Sequence, residues 1–265
     1  MITIDDKYRL EDFDMRALEV FEDPTTTPFR QNVVQVPRSN RTLLISEQSE
    51  PRPIQIVARF NKDTHLDIES ALNKFADIFY DGDGKRKEIK ISFDHWQGKF
   101  AYGYLADNLN ARRVRQAGSL EINLICYDSN RYAGVKANEV LWGSEMIDFT
   151  SHYTLGHEGN ITDIDVNGSS DLQIPIYVDG LSIYPMIIIE GSSNALQIIA
   201  NGQIISLPDF TNNKWIIEQF TSTKNGQEVF VNARKFKLNP GMNTVTLRGS
   251  NKNFEISLDY RDRYK

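Results

Sequence analysis

Arg52-Pro-Ile-Gln-Ile-Val-Ala-Arg-Phe60, with the residues that follow it as far as Tyr132, decides how this chain is built. Ile54, Ile56, Ala58 and Phe60 alternate with Gln55, Val57 and Arg59, the period of a half-buried strand. Then the period changes. Ile68, Ala71, Leu72, Phe75, Ile78 and Phe79 draw one apolar stripe down a helix predicted over 65–80. Thr64 is its candidate N-cap, with Asp67 three residues on. Asp81-Gly82-Asp83-Gly84 is its expected stop, and Lys85-Arg86-Lys87 suit its negative end if they fold back. Alternation returns at Ile89-Ile91-Phe93, at Phe100-Tyr102-Tyr104 and at Leu120-Ile122-Leu124-Cys126. A helix lying across strands is a scaffold, and this one gathers none of the residues that chemistry needs.

Outward from that stretch, the first fifty residues are less regular. Ile2 and Ile4 start a short strand, whereas Met15, Leu18, Val20 and Phe21 fit no period. Val33–Val36 and Leu43–Ile45 can pair as a protruding hairpin within an arm at 30–46, whose tip carries Arg38 and Arg41. Such an arm is marginal by itself and needs a neighbour to lie against. After Tyr132 small and polar residues dominate, and short strands then recur at the spacing of a sandwich. They are expected at Ile174–Val178, Met186–Glu190, Leu196–Ala200, Gln203–Leu207, Trp215–Gln219, Glu228–Ala233, Thr244–Leu247 and Phe254–Tyr260. Asn201-Gly202 and Asn225-Gly226 are turn signals between them, and Asn239-Pro-Gly241 is a third. The expected division is 1–133 and 134–265, the second part all-β.

The 265 residues bear 30 Lys and Arg against 36 Asp and Glu, a net charge of -6. That balance disfavours a protein whose main task is to neutralise phosphates. With one cysteine, Cys126, there is no intrachain disulfide, and an alternating apolar face makes that thiol a small buried hydrophobe. No apolar run reaches the length of a membrane helix and the start lacks a signal-peptide core, so folding in a cytoplasm is expected, without membrane insertion.

Candidate chemistry is thin. Asp163-Ile-Asp-Val-Asn-Gly168 matches the first half of a calcium loop, but Ile174 stands where a bidentate Glu is needed; a strand running into a turn is the better reading. His152 and His157 are spaced for neither a helix face nor a strand face. Gly82-Asp-Gly-Lys-Arg86 follows a helix instead of preceding one, unlike a phosphate loop. Trp142 and Trp215 are candidates for stacking on sugar, although Trp215, beside Ile216 and Ile217, reads better as core. Arg112-Arg113-Val114-Arg115 is a basic cluster in the expected loop 107–117, either solvated or meeting acidic residues of a neighbouring subunit. No catalytic, cofactor or metal residues are expected.

The order of elements resembles the distal tail proteins of long-tailed, non-contractile bacteriophages, the siphophage tail-component family. The likeness is carried by Val36-Pro-Arg-Ser39, Pro51-Arg-Pro-Ile-Gln-Ile56, the single helix, and Leu124-Ile-Cys-Tyr-Asp-Ser-Asn-Arg-Tyr132. Further on it is carried by Gln173-Ile-Pro-Ile-Tyr177, Pro185-Met-Ile-Ile-Ile-Glu-Gly191 and above all Leu238-Asn-Pro-Gly-Met-Asn243. The chain departs from the family in Ser129, where relatives commonly have Pro, and in Arg38, where many have Gly. The resemblance implies a mainly β fold: an N-terminal β-sandwich with one flanking α-helix and a C-terminal galectin-like sandwich. It implies six copies in a ring at the virion tail tip, between the tail tube protein and the tail-associated protein, with support for receptor-binding proteins. Some relatives carry carbohydrate-binding insertions, for which this chain has no spare stretch; a sugar-binding module is the alternative function. Val34, Val36, Arg38, Arg41 and Leu43 on the arm, with Arg112, Arg113 and Arg115, are the expected contacts between copies.

Overall fold

Two hydrophobic cores form, one from each half of the chain. The computed structural model describes residues 1–21, 26, 28–36, 38–60, 65–114, 117–139 and 161–265. It divides into two compact units, Met1–Tyr132 with Lys265, and Ala133–Tyr264. As the alternation and the single stripe require, the fold is mainly β with one α-helix.

The first unit contains β1 (Ile2–Ile4), β2 (Tyr8–Arg9), β3 (Met15–Phe21), β4 (Phe29–Gln35), β5 (Thr42–Ser49), β6 (Arg52–Phe60), α1 (His65–Ala76), β7 (Ile89–Phe93), β8 (Lys99–Leu105), β9 (Asn110–Val114) and β10 (Ala117–Cys126), and β11 (Arg131–Ala133) leads out of it. Its sheet runs β2-β1-β7-β8-β10-β6-β3, with β9 paired to β10. Ile54, Ile56, Ala58 and Phe60 of β6 point into the core, as their alternation demands. The stripe of α1 does the same: Ile68, Ala71 and Phe75 are buried, and Phe75 packs edge-on against Phe13 and Phe79. Cys126 lies in this core, fully buried.

The helix is shorter than expected. It ends at Ala76, and Asp77–Phe79 form a 3-10 turn that still buries Ile78 and Phe79. The Asp81 side chain then organises the next turn, with Oδ1 accepting from the Asp83 and Lys85 amides at 3.0 and 2.8 Å. The chain folds back here, with Arg86 bridging Tyr80 and the Lys87 amide donating to the Phe79 carbonyl at 3.0 Å, but the Arg86 and Lys87 charges go elsewhere. Arg86 donates to the carbonyls of Leu105 and Ala106, and Lys87 lies 3.5 Å from Asp5. Thr64 falls outside the described residues.

The second unit contains β12 (Ile164–Gly168), β13 (Leu172–Val178), β14 (Met186–Ala200), β15 (Gln203–Ser206), β16 (Phe210–Ile217), β17 (Ser222–Lys224), β18 (Gln227–Glu228), β19 (Gly241–Asp259) and β20 (Arg263–Tyr264). Met186–Glu190 and Leu196–Ala200 are one strand, not two, and so are Thr244–Leu247 and Phe254–Asp259. The apparent breaks are bulges. Gly191 has φ 142, Ala195 φ 48 and Asn251 φ 50, and the β14–β19 register shifts there. Before the bulges Met186–Ser192 pairs with Asn253–Asp259; beyond them Asn194–Ile199 pairs with Thr246–Ser250. Both long strands therefore continue through their bulges within one sheet around one core. Glu228–Ala233 is not a strand beyond Glu228, because Phe230 is 92% exposed and finds no face to alternate against.

The turn signals read as expected. Asn201-Gly202 and Asn225-Gly226 take positive φ at both positions, joining β14 to β15 and β17 to β18. Asn239-Pro-Gly-Met-Asn243 is held by its last side chain. Asn243, 3% exposed, donates from Nδ2 to the carbonyls of Asn239 and Gly241 at 2.7 and 2.9 Å. Its Oδ1 accepts from the Asn239 amide at 2.9 Å and from Asn201 Nδ2 at 2.8 Å, tying two turns together. Replacing Asn243 by Ala removes all four bonds of this buried side chain and should cost the unit about 2–4 kcal/mol in urea unfolding. Asn243→Asp should cost nearly as much, because it loses both donors.

Candidate functional site: the β4–β5 arm

Among the described residues the strands β4 and β5 pair with each other and with no other strand. Every residue of β4 is exposed, and so is every residue of β5 except half-buried Ser46. The hairpin is longer than the expected Val33–Val36 and Leu43–Ile45, because polar pairs extend it: Gln31 Nε2 donates to Glu47 Oε1 at 2.8 Å and Asn32 Nδ2 to Ser46 Oγ at 3.0 Å. Val33 lies opposite Leu44 and Val34 opposite Leu43, and Ile45 is the extra residue of a bulge.

Side chains alternate along a strand, so the Val33–Leu44 pair is on one face of the hairpin and the Val34–Leu43 pair on the other. A hairpin that packs on its own core has one apolar face and one polar face. Here both faces are apolar and both are bare: Val33, Val34, Leu43, Leu44 and Ile45 are 53, 47, 55, 55 and 65% exposed. Phe29, on the Val33 side, adds a ring that is 52% exposed. Covering what remains of these side chains is worth on the order of 1 kcal/mol each. A patch of this kind marks an interaction surface.

The tip is closed by backbone bonds between Val36 and Arg41 (3.0 Å) and between Ser39 and Val36 (3.1 Å), and by the Arg41 amide on Ser39 Oγ (3.2 Å). Arg38 takes φ 60, the left-handed region where glycine is at ease. Arg38 and Arg41 are exposed, while Val36 is half-buried.

The second candidate needs correcting. Asn110–Val114 is a strand, β9, and not a loop; Arg112 and Arg113 stand opposite Ser119 and Gly118 of β10. Charged residues suit a sheet edge, where they discourage unwanted pairing, and the absence of apolar alternation hid the strand. Arg115 lies outside the described residues, as do Trp142, His152 and His157.

In the second unit Asp163–Gly168 is the predicted strand and turn: Asp165 of β12 pairs with Glu255, and Gly168 has φ 91. Glu190 of β14 flanks Glu255 from the other side, so carboxylates stand in register across three strands. Burial first, then Asp163, Asp165 and Glu190, push the Glu255 carboxyl above its ordinary value. Among the described residues no group of acids, histidines and cysteine is arranged to hold a metal. Trp215 is 1% exposed and packed against Phe210, so its ring is core and offers no platform to a sugar.

Residues 7–126, which include the arm, match the sequence profile of the phage tail protein RIFT-related domain. This part of the chain is similar to a phage tail domain. Among solved structures, the Dit protein (gp 19.1) of SPP1, described as a paradigm of the hub adsorption apparatus in phages infecting Gram-positive bacteria, covers 100% of both chains at 13% identity and a TM-score of 0.69. Over its whole length the chain thus shares the fold of that protein. A chain of the phage P2 baseplate in its activated conformation with calcium covers 97% of this chain and 93% of its own length, at 10% identity and a TM-score of 0.46. No curated protein matches the sequence.

Proposed function

We propose that this protein is a structural, non-enzymatic component of a long non-contractile phage tail tip. Six copies form a ring that joins the tail tube protein to the tail-associated and baseplate proteins, and supports receptor-binding proteins where present. It would be assembled in the host cytoplasm and end in the virion. The observation that carries this reading is the arm, a hairpin apolar on both faces inside the stretch similar to a phage tail domain. A ring is a closed head-to-tail assembly, so each copy must carry two different complementary patches. Val34, Val36 and Leu43, with Arg38 and Arg41 at the tip, form one patch. Arg112 and Arg113 of β9, together with Arg115, are the candidates for polar contacts that fix register between copies. The alternative of sugar binding rested on Trp215, and its burial removes that residue from the case.

Native mass spectrometry and negative-stain electron microscopy of the purified chain, alone at high concentration and mixed with its tail neighbours, test the proposal. The expected result is a six-membered species and ring-shaped particles. A monomer under all of these conditions contradicts the ring.

A further inference from the structure

In the second unit the segment Tyr260–Tyr264 lies along the loop that follows β13, and the two meet around a pair of carboxylates. The Leu181 amide donates to the Arg263 carbonyl at 2.7 Å, and Gly180 bridges Arg263 in parallel. Gly180 has φ 80 and no room for a side chain, since a Cβ would stand 2.2 Å from the Arg263 carbonyl oxygen. Asp262 Oδ1 accepts from the Asp179 amide at 3.0 Å. Around this pair, Tyr264 OH donates to Asp179 Oδ2 at 3.1 Å and Tyr260 OH to the Tyr177 carbonyl at 2.9 Å. Asp262 is only 8% exposed.

Among the described residues no cation offsets it. Arg261 Nη1 is spent on the carbonyls of Ala133 and Gly134, Lys136 is paired with Asp259, and Asp262 itself forms no ion pair. An ionised Asp262 would be a charge removed from water beside another carboxylate; a neutral carboxylic acid carries neither penalty.

We propose that Tyr260–Tyr264 is a proton-operated clasp, seated on Asp179–Leu181 while Asp262 carries a proton and loosened when it ionises. The clasp does not depend on what the chain assembles with. Burial raises the Asp262 carboxyl from the ordinary 3.8 to about 7; the Asp179 amide bond works against this and the Asp179 charge adds to it. A raised value in the folded chain means that folded protein keeps a proton which unfolded protein releases. The stability it brings is therefore complete below the ordinary carboxyl range and is lost as pH rises through about 7.

Hydrogen exchange on the full chain, expressed as protection factors so that the intrinsic pH dependence drops out, tests the clasp. In the wild type, protection at the Asp179 and Leu181 amides should fall roughly tenfold or more between about pH 5 and pH 8, while the amides between β14 and β19 hold. Asp262→Asn keeps an acceptor but cannot ionise, and its profile should be flat. Asp179→Asn removes the neighbouring charge and should move the fall to lower pH. A flat wild-type profile, or a fall of equal size in Asp262→Asn, overturns the clasp. An unmoved midpoint in Asp179→Asn overturns the part given to the carboxylate pair.

Discussion

Gly191→Ala is expected to take the second unit to the edge of unfolding while leaving the first unit's own core intact. Gly191 has φ 142, and a Cβ there would stand 2.4 Å from the Asn253 carbonyl oxygen and 2.6 Å from Phe254 Cα. Both neighbours are backbone of β19, the strand paired with β14 at this point, so neither can move aside as a side chain would. Overpacking at roughly 1–3 kcal/mol and an unfavourable backbone region at roughly 1–3 kcal/mol together suggest a loss of about 3–5 kcal/mol. Domains hold only about 5–15 kcal/mol in all. Thermal melts resolved by unit-specific amide exchange are the measurement. A change below about 1 kcal/mol would mean that the bulge relaxes freely and that its geometry is not what requires glycine.

The second large effect belongs to the arm. Val34→Asp combined with Leu43→Lys should abolish the proposed ring assembly. The two residues face each other across the hairpin, so the new charges are opposite and the pairing of β4 with β5 is kept. Both side chains are about half exposed already, and the isolated chain should lose little stability. In a contact, each lost apolar group and each charge taken from water count together for about 3–4 kcal/mol, a drop of roughly a hundredfold or more in affinity. Deleting Gln35–Thr42 should have the same outcome with both cores folded. Sedimentation velocity beside circular dichroism separates the possibilities: a variant that still forms rings removes the arm from the interface.

The elements legible in the sequence were those whose burial is one-sided. The stripe Ile68–Phe79 and the alternation of Ile54–Phe60 each face a single core, and the two Asn-Gly turns announce their own backbone. Hidden elements had that simple relation broken. In β3 a register shift between Ala17 and Glu19 upsets the period of two, so Met15–Phe21 looked irregular. Gly191, Asn194 and Asn251 look like the ends of strands but lie within β14 and β19. Edge strand β9 carries arginines where a central strand would carry apolar residues. The arm was visible for the opposite reason: its short apolar runs, separated by a polar tip, had no sequence neighbour long enough to cover them. The closing of Asp262 against Asp179 had no signal at all, since the two lie 83 residues apart and meet only through the fold.

The continuity of β14 and β19 bears on how the second unit answers a pull. In most two-layered β folds a load can peel one sheet from its mate, because only side-chain contacts cross the seam. Here β14 and β19 stay continuous through their register shifts, within one hydrogen-bonded sheet around one core. Tension on either half of these strands passes to the other half through covalent bonds, so the unit should yield as a whole.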